Sequence, residues 1–528
     1  MSRTKLKLII TTAALSLSLS GCVGGPIPDS SAPITQSEAQ AGAEAHPELL
    51  AEFGGAMTGS QAVYVEQVGK NIAVQSGLGN ARDSFTVSLL NSPVNNAFAI
   101  PGGYIYTTRQ LVALMNNEAE LAGVLGHEVG HVAARHSQRR QAAAQRNNLL
   151  GAAGAILSGI LLGNSGLGQQ LGQTLMQGSQ LLTLKFSRTQ ELEADTLGVR
   201  YLNQAGYDPH AMATVLQSLA AQNALDARLQ GRDNATIPEW ASTHPDPASR
   251  VATANASAQG MSGVTNRDTF LTRIDGLLYG DDPKQGVIEG REFIHPELRF
   301  AFTAPQGFFM VNGTRAVTVN GQSGKAQLSM GQYNGNLNTY VQAVFAGLSD
   351  QQQVTPSSIQ RTSVNGLPAA YGTARVASGG NQVDVTVFAY EFASDRAYHF
   401  LAITPAGQAS TFNGMFSSMR RITAQQAGNI IPRVIDVITV RSGDTVASLA
   451  SRMAYSDNQV ERFRVLNGLG ANDGVIAGQK VKIVVRGSRC STFRSGKGKG
   501  GRIAPAAFSI MRRLLRRCSR WSIRCLPC

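Results

Sequence analysis

The chain has 528 residues, of which 43% are hydrophobic and 15% charged, too many for one core and suited to about three globular domains. A formal net charge of +13 would fit a nucleic-acid binder, but its distribution argues against that partner. Residues 487–528 hold eleven Lys and Arg and no Asp or Glu, and Arg3, Lys5 and Lys7 supply the rest, so the body between is near neutral. The cysteines are Cys22, Cys490, Cys518, Cys525 and Cys528, which leaves the body without a disulfide framework.

Residues 1–21 read as a secretory signal. Arg3, Lys5 and Lys7 form its charged start, and Leu8 to Leu19 is apolar but shorter than the roughly 17 residues that span a bilayer. Leu19-Ser20-Gly21-Cys22 resembles the bacterial lipobox, which implies cleavage before Cys22 and a lipid anchor on it. More than one acyl chain is what stable anchoring requires. Residues 22–45 read as a tether, rich in Gly, Pro and Ser.

The apolar pattern from His46 to Gln75 is helical. Phe85–Leu90, Asn95–Ile100 and Tyr104–Thr107 read as strands, the second stopped by Pro101-Gly102-Gly103. Arg109–Met115 reads as a short helix. A stronger helix follows, with Asn117 as N-cap and Glu120 placed to reach back as in a capping box. Gly123, Gly126 and Gly130 inside it each cost about 1 kcal/mol against Ala, which predicts that another backbone or a substrate comes close.

This helix carries His127-Glu128-Val129-Gly130-His131. Histidines four residues apart share a face and can both reach one divalent cation. Glu128 lies about 100° round the helix from His127, beside the cation, where it can take a proton from water. In a chain with eight histidines the pattern is rarely accidental, and it is the H-E-x-x-H arrangement of zinc hydrolases.

Arg135 to Asn148 reads as a polar helix. Leu149 to Leu162 is apolar but too short to span a membrane confidently, and Gln169 to Gln180 alternates Gly, Gln and Leu. This insert suits a flap or amphipathic segment near the site, and equally a buried core helix. Ser187 caps a further helix, on which Glu191 and Asp195 lie one turn apart. Two histidines need a third protein ligand if zinc is to keep a position open for water. Glu191 can be that ligand, and Asp195 can hold the outer nitrogen of a ligand histidine. The helix is expected to end at Gly206, with Asp208-Pro209 starting the next.

Asn96-Ala97-Phe98-Ala99-Ile100-Pro101-Gly102-Gly103, then H-E-V-G-H, then Glu191-Leu192-Glu193-Ala194-Asp195 together resemble metallopeptidase family 48, with its HtpX-type and BepA-type zinc endopeptidases. The resemblance runs from about residue 46 to 255. It implies one zinc ion held by His127, His131 and Glu191, Glu128 as general base, and Asp195 behind the ligands. It also implies a small sheet whose edge, at Ala97, Phe98 and Ala99, pairs with substrate backbone. Ser242-Thr243-His244-Pro245 and Arg250 match recurring positions, where His244 lies close to the metal as a gate or as a transition-state donor. The long apolar hairpin of the membrane members is lacking, so the chain resembles the periplasmic lipoprotein branch.

Residues 286–424 read as an α+β domain similar to PsbP-type domains, without a catalytic constellation. His295 and His399 read as structural. Residues 434–486 resemble a LysM domain, a β-α-α-β module for N-acetylglucosamine glycans, which implies a peptidoglycan partner. Asp444 is expected to cap its first helix, and Val446-Ala447 replaces the usual aromatic or Leu-Trp pair. Residues 487–528 read as a basic, disordered tail in which Phe508–Trp521 could form a cationic amphipathic helix.

The expected fold is multidomain: a mainly α zincin-type peptidase domain with a small β-sheet at 46–260, a linker at 261–285, the α+β middle domain and the small LysM domain. The expected function is a zinc metalloendopeptidase of the periplasm that cleaves unfolded or misassembled envelope proteins. It would be held by lipidated Cys22 on the periplasmic face of a membrane, the outer membrane favoured. Two alternatives stay open: a non-catalytic peptidoglycan-associated scaffold or chaperone with a structural zinc, and a zinc hydrolase of cell-wall peptides. The intact Glu128 favours an enzyme.

Overall fold

The structure is a computed structural model that describes residues 32–79, 81–140, 186–229, 244, 247–348, 354–378 and 381–487. The signal segment 1–21, Cys22, the insert at 149–180 and the tail beyond residue 487 lie outside the described residues. The described residues belong to one compact unit. No helix among the described residues is long and apolar enough to cross a membrane.

Strand alternation sets up the first layer. Strand Tyr104–Thr108 runs in the middle of a three-stranded sheet, parallel to Thr86–Leu90 and antiparallel to Ala97–Ile100. Successive side chains of Ala97–Ile100 point to opposite faces. Ala97 and Ala99 enter the main core, while Phe98 and Ile100 meet Leu49 and Phe53 of the N-terminal segment, whose helix is Gln36–Glu52.

Behind the sheet lies helix Glu118–Ala133, with Asn117 accepting from the Glu120 amide at 2.9 Å. The expected capping box is altered. The Glu120 carboxylate reaches past the cap to the amide of Asn116, at 2.7 Å, because Thr214 (2.8 Å) and the Asn117 side-chain amide (3.2 Å) hold its other oxygen.

The three helix glycines face other chain segments, as their cost predicts. A Cβ on Gly130 would stand 3.1 Å from the Ala194 carbonyl, and one on Gly198 would stand 3.2 Å from the His127 amide. Helix Arg188–Gln204 therefore lies close enough to bring its carboxylates to the histidines. It is capped by Ser187 and Gln190 in a reciprocal box and ends one residue short of Ala205. The next helix is Ala211–Leu229, so Asp208-Pro209 form the turn before it rather than its first residues.

Residues 286–424 contain a seven-stranded antiparallel sheet and a four-stranded one. Helix Leu337–Ala346 packs on one side of the larger sheet, and the smaller sheet and helix Asn413–Ser418 on the other. His399 is buried with Nδ1 2.9 Å from the Tyr340 hydroxyl.

The LysM-like segment runs strand Arg433–Thr439, helix Val446–Ala450, helix Gln459–Leu466 and strand Lys480–Arg486. Thr445, not Asp444, is the cap of its first helix: the Thr445 side chain accepts from Ser448, while Asp444 closes the preceding turn by accepting from the Arg441 amide at 2.7 Å. The stretch 261–285, expected as a linker, holds helix Arg267–Ile274 and strand Leu278–Tyr279, which joins the LysM-like sheet. Ile435, Leu449, Phe463 and Val481 share one apolar cluster with Leu111, Met115 and Leu121. The segment is thus packed into the core that supports the H-E-x-x-H helix.

Candidate active site

The two histidines and Glu191 arrive from the two glycine-packed helices, and His244 from the chain just before helix Pro247–Ser257. All four are buried, and one ligand-type atom from each lies within 4.8 Å of the others. His127 Nε2 is 3.0 Å from His131 Nε2, 3.2 Å from His244 Nδ1 and 3.5 Å from Glu191 Oε2. Glu191 Oε1 is 3.5 Å from His131 Nε2, and Oε2 is 3.1 Å from His244 Nδ1.

These spacings suit a tetrahedral cation. Metal–ligand bonds of about 2.0–2.1 Å at tetrahedral angles place the ligand atoms about 3.3–3.4 Å apart. Charge agrees. Glu191 and Asp195 pair with one buried guanidinium, Arg250, and with Glu128 buried beside them the acidic side chains outnumber it three to one. Burial works against charge on His127, yet its hydrogen bonds to Asp195 and Glu191 prevail and lift its pKa to about 9. His131 goes the other way: burial, with His127 beside it, pushes its pKa well below the ordinary range.

Asp195 accepts from His127 Nδ1 at 2.9 Å, which leaves Nε2 facing the other ligands. Arg250 donates to Asp195 from Nε at 2.7 Å and from Nη2 at 2.5 Å, and its Nη1 pairs with Glu191 at 2.8 Å. Burial alone would raise the Asp195 pKa, but Arg250 and His127 hold it below the ordinary carboxylate range.

Glu128 does not join the four. Its Oε1 lies 3.5 Å from His244 Nε2, and its Oε2 is buried with no hydrogen-bond partner among the described residues. Such an oxygen is an acceptor in want of a donor. Burial pushes the carboxyl pKa above its ordinary range.

Strand Ala97–Ile100 is an edge of its sheet. Ala99 and Ile100 line a cleft together with Pro101, Gly102, His131 and Glu38, while Ala97 and Phe98 lie in the same strand with side chains in the two cores. Cys22 lies outside the described residues. The sequence reading missed His136 and Phe186. Both touch His131, whose ring is stacked by Phe186 at 4.0 Å between centroids. The signal for His136 was present: it is a third histidine only five residues past His131 in a chain with eight.

Residues 60–258 match Peptidase family M48, and residues 438–484 match the LysM domain. The beta-barrel assembly-enhancing protease of Escherichia coli O157:H7 is 34% identical over 216 residues, 40% of this chain and 42% of that protein. Mitochondrial metalloendopeptidase OMA1 of Schizosaccharomyces pombe is 31% identical over 215 residues, 39% of this chain and 57% of that one. The alignments thus span about half of either curated relative. The solution structure of cyanobacterial PsbP from Synechocystis aligns over 26% of this chain and 98% of its own, at 13% identity and a TM-score of 0.21, a likeness too slight to assign a fold. The chain carries a peptidase family M48 domain, with the H-E-x-x-H helix inside it, and a LysM domain near its C-terminal side.

Proposed function

We propose that the chain is a zinc-dependent endopeptidase of the bacterial envelope that cleaves unfolded or misassembled envelope proteins. One observation carries the reading: four ligand-type atoms converge within 4.8 Å beside Glu128, whose buried Oε2 has no hydrogen-bond partner among the described residues. When bound, zinc supplies Lewis acidity that polarises a scissile carbonyl and acidifies the attacking water.

The protein groups do the rest. His127, His131 and Glu191 hold the ion, and Asp195 keeps the His127 proton on Nδ1, away from it. Glu128 accepts the proton of the water and passes it to the leaving amine. Strand Ala97–Ile100 takes substrate as an added strand through backbone hydrogen bonds, a mode that reads little sequence and suits unfolded chains. His244 acts as a latch. Its Nδ1 stands where a fourth ligand would, and its Nε2 leans on Glu128, so at rest it would exclude water and occupy the base. Lipidated Cys22 would anchor the chain and the LysM domain would hold peptidoglycan. The name of the beta-barrel assembly-enhancing relatives favours misassembled outer-membrane proteins as substrates.

The test is Glu128→Gln. It should keep zinc and fold but lose at least about 100-fold in cleavage of unfolded casein, the scale of a missing acid–base group. A variant with wild-type turnover would sink the mechanism.

A further inference from the structure

The second ligand histidine has a support of its own. Helix Glu118–Ala133 ends two residues past His131, and Arg135 then adopts φ 55°, a left-handed conformation uncommon for a residue with a side chain. Its buried guanidinium is tied to the Ala32 and Pro33 carbonyls at 2.9 and 3.1 Å and to Glu38 at 2.9 Å. In an unbroken helix His136 would lie about 140° round from His131, on another face. The turn at Arg135 brings it back, so that Nδ1 of His136 lies 2.8 Å from Nδ1 of His131. On its far side, His136 Nε2 lies 3.2 Å from Glu193 Oε2, which also accepts from Arg139 Nη1 at 2.9 Å. Phe186 stacks on the His131 ring with an interplanar angle of 22°.

Donor and acceptor roles follow from valence. A neutral imidazole carries one N–H. If His131 presents Nε2 as a metal ligand, its proton stands on Nδ1, and His136 Nδ1 must accept it. The proton of His136 then stands on Nε2, where the Glu193 carboxylate accepts. The opposite order would put a proton on His131 Nε2, in the ligand position. We propose that His136, set by Glu193 and Arg139, is a positioning residue that fixes the tautomer and ring orientation of His131. It is the counterpart on this histidine of Asp195 and Arg250 on His127, and it rests on the zinc reading above.

The test measures zinc dissociation constants by chelator competition on the full chain, with nitrogen NMR of the imidazole rings as a second readout. His136→Leu removes the acceptor and should weaken zinc about 10–100-fold. Glu193→Ala, at a side chain 40% exposed, should weaken zinc in the same direction. His136→Asn sets a carbonyl oxygen near the place of Nδ1 and should restore most of the affinity. In the zinc-loaded wild type His131 should carry its proton on Nδ1. Changes of less than about twofold in both His136→Leu and Glu193→Ala overturn the proposal and leave the zinc site standing. So does a zinc-loaded His131 protonated on Nε2. Should His136→Leu fold poorly, Glu193→Ala and the wild-type tautomer decide between them. A wild-type chain that takes up no zinc overturns the zinc reading, and this one with it.

Discussion

Replacing Lys482 with Met tests whether the LysM and peptidase segments unfold together. The Lys482 side chain is fully buried. Its ammonium donates to the Ala113 carbonyl at 2.8 Å, to Leu114 at 3.2 Å and to Met115. These carbonyls end helix Arg109–Leu114 and lack partners within it. The same charge acts on Glu120, at the entrance to the H-E-x-x-H helix. Burial lowers the Lys482 pKa well below the ordinary range, against the pull of Glu120, and raises that of Glu120. Two effects compete. Met avoids the desolvation of an ammonium, several kcal/mol in a protein interior. Against this, buried carbonyls lose their donor at about 1–3 kcal/mol each, and a buried carboxylate loses a counter-charge. Removing one partner of a buried pair typically costs about 3–5 kcal/mol, whereas replacing both is often neutral. Lys482→Met should therefore destabilise by about 3–5 kcal/mol, and Glu120→Gln in the same chain should recover part of that. Urea unfolding followed by circular dichroism gives the magnitude. Amide exchange should show residues 115–120 and strand Lys480–Arg486 opening together. A midpoint at or above wild type, or faster exchange in the LysM strand alone, would refute the argument.

Glu191→Ala should abolish tight zinc uptake, whereas Asp195→Ala should weaken it about 10–100-fold; equal metal content in Glu191→Ala and wild type would remove Glu191 from the site. His244→Ala should cleave unfolded protein faster and cleave itself. A loss of about 100-fold would instead make His244 a donor to the oxyanion, and unchanged rates would eliminate both roles. A pH prediction comes from His399, which burial holds at about 4 against an ordinary 6.5. As pH falls below 6.5 the unfolded chain takes up this proton first, so the folded chain loses stability down to about pH 4, by up to about 3 kcal/mol. His399→Gln should lack that component, and parallel stability curves for variant and wild type over this range would contradict it.

What was legible in the sequence was local. The H-E-x-x-H spacing, the Asn117 and Ser187 caps and the cost of Gly126 and Gly130 each depend on residues within a turn or two, and the structure sets them where the pattern puts them. Glu191 and Asp195 could be placed because a helix face fixes their relation to each other, and zinc chemistry fixes what a two-histidine site lacks. Lys482 and His136 escape a sequence reading for another reason. In Lys480-Val481-Lys482-Ile483 the alternation puts both lysines on a wetted face. Lys482 is buried because the peptidase segment covers that face, and strand periodicity carries no information about what lies opposite. His136 depends on the left-handed turn at Arg135, a residue type that does not announce one. That turn is held by backbone carbonyls from residues 32 and 33, about a hundred positions upstream. Asp195, one turn from Glu191 on the same helix, is thus written in a short motif, while His136 meets His131 only through tertiary packing. A residue such as His136 is therefore found by following the outer nitrogen of each ligand in the fold.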